Sequence, residues 1–297
     1  MRTEQISPRY VDLDSWSTAE MIAAMFEGQL AAAAAVRGAL GAIAAAVEDA
    51  VPPLQRGGRI VYAGAGTSGR IGVQDGTELT PTYDWPADRL VFAMAGGLDA
   101  LVRSAEGAED SEAAGARTMT DAKINSNDVV IGIAASGTTP FTIGALRAAG
   151  AAGAVTIAVA NNPGTPLFEV ARHRILADTG SEVIAGSTRM NAGTAQKIVL
   201  NLLSTAVMVK MGRIYRGLMV DMRVRNAKLR RRAEVMVSEI IRCPEGDAAR
   251  YLKQADGDVK TAVLLGLGLG RSEAAQLLQR HGGNLRSAIK ASTRGDG

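Results

Sequence analysis

The sequence predicts an α/β fold, in which a doubly wound, five-stranded parallel sheet is flanked by helices and followed by a small C-terminal helical module. Three observations support this prediction. Five short and nearly continuous apolar segments alternate with helical segments between residues 59 and 177, as in strands that are covered on both faces. Gly-rich turns follow the first and the third of these segments. The C-terminal part of the chain contains an internal repeat.

Composition and charge exclude several classes of protein. The 297 residues include 33 Lys and Arg against 30 Asp and Glu, and this small excess does not indicate nucleic-acid binding. A single cysteine, Cys243, excludes an intrachain disulfide, and with only two histidines beside it no metal site is expected. The N-terminus is polar and acidic, unlike a secretory signal, and the longest uncharged runs are interrupted by Gly, Pro and Asn. We therefore expect a cytoplasmic protein that does not enter a membrane.

The first predicted element is an Ala-rich helix from residue 18 to about residue 48. Ser17 and Glu20 have the spacing of a capping box, which predicts where the helix begins. Alanine is the best helix former and lets helices approach closely. Glu27 and Arg37 interrupt the apolar run, so we interpret the stretch as a packing helix and a candidate dimer interface rather than a membrane span.

The five strands are predicted at residues 59–63, 89–95, 128–134, 154–160 and 173–177. Because they alternate with helices, we expect a parallel sheet whose ligand loops lie at the carboxyl ends of the strands. A long helix is predicted from about residue 190 to residue 211. The basic segment that follows, residues 222–233, lacks interleaved aromatic residues, so we favour a solvated or interface helix over a nucleic-acid site.

The C-terminal repeat relates DAARYLKQADGDVKTAV, which starts at Asp247, to EAAQLLQRHGGNLRSAI, which starts at Glu273. Two such helix–Gly–helix units predict a small bundle resembling a ubiquitin-associated fold, although ubiquitin binding does not follow from that likeness. We therefore divide the chain into an N-terminal arm and helix (1–50), a phosphosugar-type α/β domain (51–221) and a basic helix with the helical module (222–297).

The turn after the first strand, Gly64 to Arg70, reads GAGTSGR and opens a helix. Glycines allow a tight turn that exposes N–H groups at a helix N-terminus, where anions bind. The spacing also fits a dinucleotide motif, but no acidic residue follows the second strand at the usual distance, and the Lys of a P-loop is absent. Hydroxyl donors suit a phosphate monoester. The candidate ligands in this turn are Gly66, Thr67, Ser68 and Arg70.

A second hydroxyl-rich turn follows the third strand. Its candidate phosphate ligands are Ser136, Gly137, Thr138 and Thr139. Taken alone, this turn is equally well explained as a capped helix start. Two such turns after parallel strands of one sheet can bind one phosphate together, so the combination is more specific than either turn. A further polar segment, GSEVIAGSTR at residues 180–189, supplies Glu182 and Arg189 as candidate ligands, with a local salt bridge as the alternative.

These three segments resemble the sugar isomerase (SIS) fold of phosphosugar-binding proteins. Within that fold, the segments GAGTSGRIG, DGTELTPTY, AEGAEDS, GIAASGTTP, NPG, GSTRM, AGTAQK and LMVD, together with HGG at residues 281–283, resemble the N-acetylmuramic acid 6-phosphate etherases. The resemblance covers nearly the whole chain from about Thr3. It implies removal of D-lactate from the sugar by a carbon–oxygen lyase of bacterial cell-wall recycling. One departure is Asn191, where the family pattern leads us to expect Lys.

The chemistry that the resemblance implies requires two carboxyl groups. The C1 aldehyde of the open sugar acidifies the C2 proton, so a base can remove this proton while an acid protonates the lactate oxygen leaving C3. Glu78 and Glu109 match the acid/base glutamates of the family, and we assign Glu78 as the acid and Glu109 as the base. The division of roles stays open. Glu106 competes with Glu109, which together with Asp110 also suits a helix start.

Two other functions are consistent with the same phosphate turns. An aldose–ketose isomerase would use a single base, and a non-catalytic sugar-phosphate sensor would need none. A DNA-binding sensor would carry a helix-turn-helix module before the sugar domain, and a kinase regulator would carry two sugar domains, for which the chain has too little room. The resemblance implies a homodimer, and the etherase reaction requires no cofactor and no metal.

Overall fold

The sheet has the predicted parallel architecture. The computed structural model describes residues 1–103, 105–222, 224 and 226–294, so Arg223 and Arg225 of the predicted basic segment lie outside the described residues. Within those ranges, five strands form one sheet in the order β2-β1-β3-β4-β5, and every neighbouring pair is parallel. The strands are β1 Ile60–Gly64, β2 Leu90–Met94, β3 Val129–Ile133, β4 Val155–Ala160 and β5 His173–Leu176. Four strands lie within their predicted segments, and β1 extends one residue beyond its segment, to Gly64. This agreement confirms the fold class.

Twelve α-helices lie in the same described ranges. They are α1 Thr18–Ala35, α2 Leu40–Gln55, α3 Gly66–Tyr83, α4 Glu112–Asp121, α5 Pro140–Ala151, α6 Pro166–Glu169, α7 Asn191–Lys210, α8 Ala227–Ile241, α9 Glu245–Gln254, α10 Val259–Gly266, α11 Arg271–Arg280 and α12 Leu285–Arg294. Strands β1, β3 and β4 are buried along their whole length, as their continuous apolar sequences require. Val61, Val130 and Ala158 are completely buried in the core between this sheet and its helices.

The N-terminal helix differs from the prediction. Instead of one helix over residues 18 to 48, the chain forms α1 and α2, joined by a 3-10 turn at Val36–Ala39. Gly38 lies in this turn and Gly41 follows it, and glycine is among the poorest helix formers, so the α-helix is weakest there. The predicted start is confirmed: the Ser17 hydroxyl accepts the Glu20 N–H, and the Glu20 carboxylate accepts the Ser17 N–H.

Two helical stretches, Thr18–Gln55 and Asn191–Lys210, have the length and apolar composition that a membrane crossing requires. Core helices of soluble proteins share these properties, and 56% of the most apolar part of the second stretch is buried within the protein. The first stretch carries Glu27 and Arg37. Length and composition therefore do not identify either stretch as a membrane span.

The chain forms two compact units. The first consists of Met1–Thr77 and Ala87–Thr205 and contains the whole sheet. The second consists of Ala206–Gly297 together with the short segment Glu78–Pro86. This segment contains the end of α3 and the loop that follows it, so α3 begins in the first unit and ends in the second.

The second unit contains the helical repeat. Helices α9 and α11 begin 26 residues apart, at Glu245 and Arg271, and α10 and α12 begin 26 residues apart, at Val259 and Leu285. The small residues at matching positions of the repeat are completely buried in one apolar core: Ala248, Ala262, Ala274 and Ala288. Both halves of the repeat thus bury equivalent helix faces.

Candidate active site

The two Gly-rich turns lie side by side at the edge where the carboxyl ends of β1 and β3 meet. Gly64, the last residue of β1, is in register with Ile133, the last residue of β3. Neighbouring strands are about 4.8 Å apart, so the turns that follow are adjacent. From β1 the chain continues to β2 on one side, and from β3 it continues to β4 on the other. This reversal of strand order is where open α/β sheets bind ligands.

The first turn leads directly into α3. Gly66 adopts a left-handed conformation (φ 51°), which glycine tolerates, and α3 begins at this residue. Gly69 lies against the end of β1, where an added Cβ would be 2.9 Å from the Gly64 carbonyl oxygen. Thr67 is half-buried and Ser68 is 8% exposed. The turn therefore presents two hydroxyls beside the unpaired N–H groups of a helix N-terminus, which is suited to an anion.

The second turn requires glycine for two reasons. Gly137 has φ 68°, and a Cβ at this position would lie 2.5 Å from the Cβ of Thr165. The Ser136 hydroxyl accepts hydrogen bonds from the Thr138 N–H at 3.2 Å and the Thr138 hydroxyl at 3.1 Å. Thr139 is the N-cap residue of α5, but its side chain makes no capping bond, which leaves its hydroxyl available to a ligand. The turn thus concentrates three hydroxyls at a second helix N-terminus.

A cleft of about 210 Å³ lies beside the first turn. Its lining residues include Ala65, Gly66, Arg70, Met94, Glu106 and Glu109. Arg70 donates hydrogen bonds to the carbonyl oxygens of Leu101 at 3.1 Å and Ala100 at 2.9 Å, so it ties α3 to the loop that follows β2. The predicted anion ligand Arg70 therefore has a structural role as well as a place in the cleft.

Glu109 lies in a 3-10 turn, Ala108–Asp110, and its side chain is exposed. The helix after this turn begins without its help, because the Ser111 hydroxyl caps α4 by accepting the Ala114 N–H at 3.1 Å. The start of α4 therefore does not require Glu109. Glu106 lines the same cleft and is also exposed, so position alone does not distinguish the two carboxylates.

Glu78 is an exposed residue of α3 and belongs to the second compact unit. It follows Gly66 by twelve residues in one continuous helix, which corresponds to about 18 Å along the helix axis. A hexose phosphate extends less than half that distance from its phosphorus to C2. Glu78 is therefore close to the first turn in sequence, but the length of the helix places it far from that turn within one chain.

Glu182 does not have the exposed position that is expected of a sugar ligand. It is completely buried, and its two carboxylate oxygens accept the N–H groups of Asn191 at 2.8 Å and Ala192 at 2.9 Å. Burial raises the pKa of Glu182, although these two hydrogen bonds act to lower it. In this structure the Glu182 carboxylate caps α7, and its expected role as a sugar ligand stays a prediction. The alternative, a salt bridge between Glu182 and Arg189, is not formed. Arg189 is exposed and has no ion pair among the described residues.

Asn191, the departure from the family pattern, joins α7 to α1. Its side-chain oxygen accepts a hydrogen bond from the Gln29 amide at 3.1 Å and lies 3.0 Å from where a Cβ on Gly28 would be. Asn191 is 5% exposed. In this chain the side chain is thus a packing element between two helices.

Asn162 is a structural residue of the site that the sequence analysis did not single out. Its side-chain amide donates to the Thr3 hydroxyl at 3.0 Å and to the carbonyl oxygen of Ala135, the residue before Ser136, at 2.9 Å. Its side-chain oxygen accepts the Arg2 N–H at 2.7 Å. Asn162 thus ties the N-terminal arm to the second turn. Its position just before the Pro-Gly of the NPG segment is the sequence feature that could have identified it.

No metal centre is formed by the described part of the chain, in which no three His, Cys, Asp or Glu side chains come together. The donors around the two turns are hydroxyls and backbone N–H groups. This donor set suits an anion rather than a cation.

The chain is similar to known proteins at three levels. Residues 42–150 match the model of the glucokinase regulatory protein N-terminal SIS domain, and residues 104–206 match the SIS domain model. An N-acetylmuramic acid 6-phosphate etherase of Deinococcus radiodurans is 52% identical over 97% of this chain and 95% of its own length. One of Actinobacillus succinogenes is 44% identical over the same shares. Among solved structures, a phosphoheptose isomerase from Francisella tularensis shares the fold, with a TM-score of 0.50 and 20% identity over 65% of this chain and all of its own.

Proposed function

The chain belongs to the N-acetylmuramic acid 6-phosphate etherase family, and we propose that it converts N-acetylmuramic acid 6-phosphate into N-acetylglucosamine 6-phosphate and D-lactate. The observation that carries this function is the 52% identity to a relative of that name over 97% of the chain. At the level of reaction class, the enzyme is a carbon–oxygen lyase of the hydro-lyase type that acts in the cytoplasm in peptidoglycan recycling. The two alternative functions, an isomerase and a non-catalytic sensor, are distinguished by the lactate-release experiment.

We propose that the two Gly-rich turns bind the phosphate. The Gly66 and Gly137 backbones and the hydroxyls of Thr67, Ser68, Ser136, Thr138 and Thr139 supply the donors. The start of α3 and the start of α5 add the partial positive charge of two helix N-termini. This arrangement stabilises one terminal phosphate by hydrogen bonds and by the partial charges of two helix N-termini, so it requires neither a dinucleotide nor a metal.

The reaction proceeds by elimination and then hydration. The base removes the C2 proton of the open-chain sugar, the electron pair forms the C2–C3 double bond, and the C3–oxygen bond breaks. The acid protonates the departing lactate oxygen. Water then adds across the double bond, with its hydroxyl at C3 and a proton at C2, so that atoms and charge balance. The reaction requires the base in its ionised form and the acid in its protonated form.

Glu109 is our candidate base, because it lines the cleft beside the phosphate turn. Glu78 is our candidate acid. Because Glu78 lies about 18 Å along α3 from Gly66, we propose that it acts in the site of a second copy. The active unit is then a homodimer with composite sites. Arg189, which is exposed and has no ion pair among the described residues, is our candidate for the lactyl carboxylate.

An exposed apolar stripe on α1 supports the homodimer. Ile22, Phe26 and Leu30 are spaced four residues apart and are 58%, 61% and 55% exposed. Residues at this spacing share one face of a helix. An exposed apolar helix face is a common feature of protein interfaces.

The test uses metal-free protein and N-acetylmuramic acid 6-phosphate, and it measures released D-lactate. We expect release by the wild type and loss of release in Glu78→Gln and in Glu109→Gln, with phosphosugar binding retained. Glu106→Gln is the matched control and should keep the rate, whereas loss in this variant alone would reassign the base. Binding without lactate release would indicate a sensor, and formation of a ketose would indicate an isomerase.

A mixing experiment tests the composite site. Refolding Glu78→Gln with Glu109→Gln should restore about a quarter of the wild-type rate, because half of the two-fold dimers are mixed and each mixed dimer has one intact site. If both carboxylates of a site came from one chain, no mixture of these two variants would recover activity.

A further inference from the structure

Several hydrogen bonds fix the backbone at the end of α3, the part of the helix that carries Glu78. Asp84 adopts a left-handed conformation (φ 50°), its N–H donates to the Thr80 carbonyl oxygen at 3.0 Å, and the Trp85 N–H donates to the Leu79 carbonyl oxygen at 3.4 Å. The bond from Asp84 to Thr80 is the 5→1 bond of the αL motif, which ends many helices. The Thr80 hydroxyl also donates to the Trp85 carbonyl oxygen at 2.9 Å, and Trp85 is completely buried. The backbone just after Glu78 is thus pinned within the second unit.

Arg213 contacts this terminus directly. Its guanidinium donates to the Tyr83 carbonyl oxygen at 3.4 Å and lies 5.7 Å from the centre of the Trp85 ring. The same guanidinium lies 3.7 Å from a carboxylate oxygen of Asp221. Arg213 therefore joins the last turn of α3 to an acidic residue of the LMVD segment.

Asp221 is held in turn by a buried lysine. The Lys260 ammonium lies 2.6 Å from Asp221 Oδ2 and donates to the Gly283 carbonyl oxygen at 2.5 Å. The side chains of Lys260 and Asp221 are only 7% and 13% exposed. Burial raises the pKa of Asp221, while Lys260 and Arg213 act in the opposite direction. The contact explains two motifs that phosphate binding does not use, LMVD and HGG, because Lys260 connects one residue of each.

We propose that Arg213, Asp221 and Lys260 are positioning residues for Glu78, and that the C-terminal helical module serves the reaction by holding the end of α3 through this network. The proposal rests on the proposed function, because it takes Glu78 as the acid. A buried ion pair adds little net stability compared with apolar side chains of similar size, but its hydrogen bonds fix register. Removal of the network should thus affect the placement of Glu78 more than the stability of the fold.

The first test compares Arg213→Met with Arg213→Lys, which keeps a donor and a charge. We expect Arg213→Met to lower kcat for lactate release by about ten- to a hundredfold, the cost of a small misplacement, with KM changed less than twofold. Arg213→Lys should restore most of the rate. Arg271→Met, which removes an exposed ion pair with Asp256 in the same unit, is the matched control and should keep kcat. An unchanged kcat in Arg213→Met, or an equal fall in all three variants, would overturn the proposal.

The second test separates positioning from stability. The variant Asp221→Leu/Lys260→Met replaces the pair by apolar side chains, and we expect a melting temperature close to that of the wild type with kcat lowered as in Arg213→Met. Hydrogen–deuterium exchange should be faster in residues 78–86, whether or not the chain releases lactate. Unchanged exchange there would refute the network. Absence of lactate release by the wild type would refute the proposed function alone.

Discussion

Gly137→Ala tests whether the second phosphate turn is shaped by both backbone conformation and space. The residue has φ 68°, and an added Cβ would lie 2.5 Å from Thr165 Cβ and 2.8 Å from Thr165 Cγ2. Real Cβ atoms do not approach so closely, so the turn or α6 has to move. Gly164 offers a matched control nearby, because it has a similar φ of 64° but no atom within 4 Å of an added Cβ.

The expected magnitudes differ by the packing contribution alone. A residue with a Cβ in the left-handed region costs about 1–2 kcal/mol, which both variants should lose. Overpacking a filled site costs about 1–3 kcal/mol more, which only Gly137→Ala should lose. The free energy of unfolding should therefore fall by about 2–5 kcal/mol in Gly137→Ala and by about 1–2 kcal/mol in Gly164→Ala.

Urea denaturation followed by circular dichroism measures both losses on the first compact unit. Because the shift in Gly137→Ala moves Ser136 and Thr138, it should also raise KM for the phosphosugar, whereas Gly164→Ala should leave KM unchanged. Equal losses of stability in the two variants would show that Thr165 yields without cost and would refute the steric argument. An unchanged KM in Gly137→Ala would separate this turn from phosphate binding.

Two other substitutions test buried carboxylates. Burial acts to raise the pKa of Asp128, but hydrogen bonds from Arg59 lower it overall, so this pair stabilises the fold above the unfolded pKa and the stabilisation is lost as pH falls through the folded pKa. Arg59→Met should cost about 3–5 kcal/mol in urea denaturation at neutral pH and progressively less in acid, and a loss that does not change with pH would contradict this account. Glu182→Gln should cost about 1–2 kcal/mol, because it removes one acceptor for the first N–H groups of α7, while KM stays unchanged. A raised KM at unchanged stability would instead support the predicted role of Glu182 as a sugar ligand.

The sheet could be predicted from the sequence because its strands are covered on both faces and therefore have continuous apolar sequences. Val129–Ile133 and Val155–Ala160 are buried at every position. The capping box at Ser17 could be predicted for a similar reason, because its hydrogen bonds join residues three apart. Features that depend on local spacing can be predicted from the sequence alone.

The break between α1 and α2 and the role of Glu182 could not be predicted in this way. Gly38 lowers helix propensity, but a single glycine is often tolerated inside a helix, and only packing decides where the 3-10 turn forms. Glu182 meets the N–H groups of α7 across a loop of eight residues. Nothing in the spacing of that loop distinguishes a carboxylate that caps a helix from one that faces a ligand.

In the proposed mechanism, helix α3 has different functions at its two ends. Its first turn presents Gly66, Thr67 and Ser68 to the phosphate site, and its last turns carry Glu78 into the second compact unit. Glu78 lies about 18 Å from Gly66 along the helix axis, so the proposed phosphate ligands and the proposed acid are too far apart to act on one small sugar in a single chain. The proposed homodimer resolves the conflict, because each proposed phosphate site is then served by an acid from the other copy. In the proposed homodimer, the C-terminal module that fixes the end of α3 acts on the partner's chemistry, and we expect phosphate binding and ether cleavage to be separable by mutation.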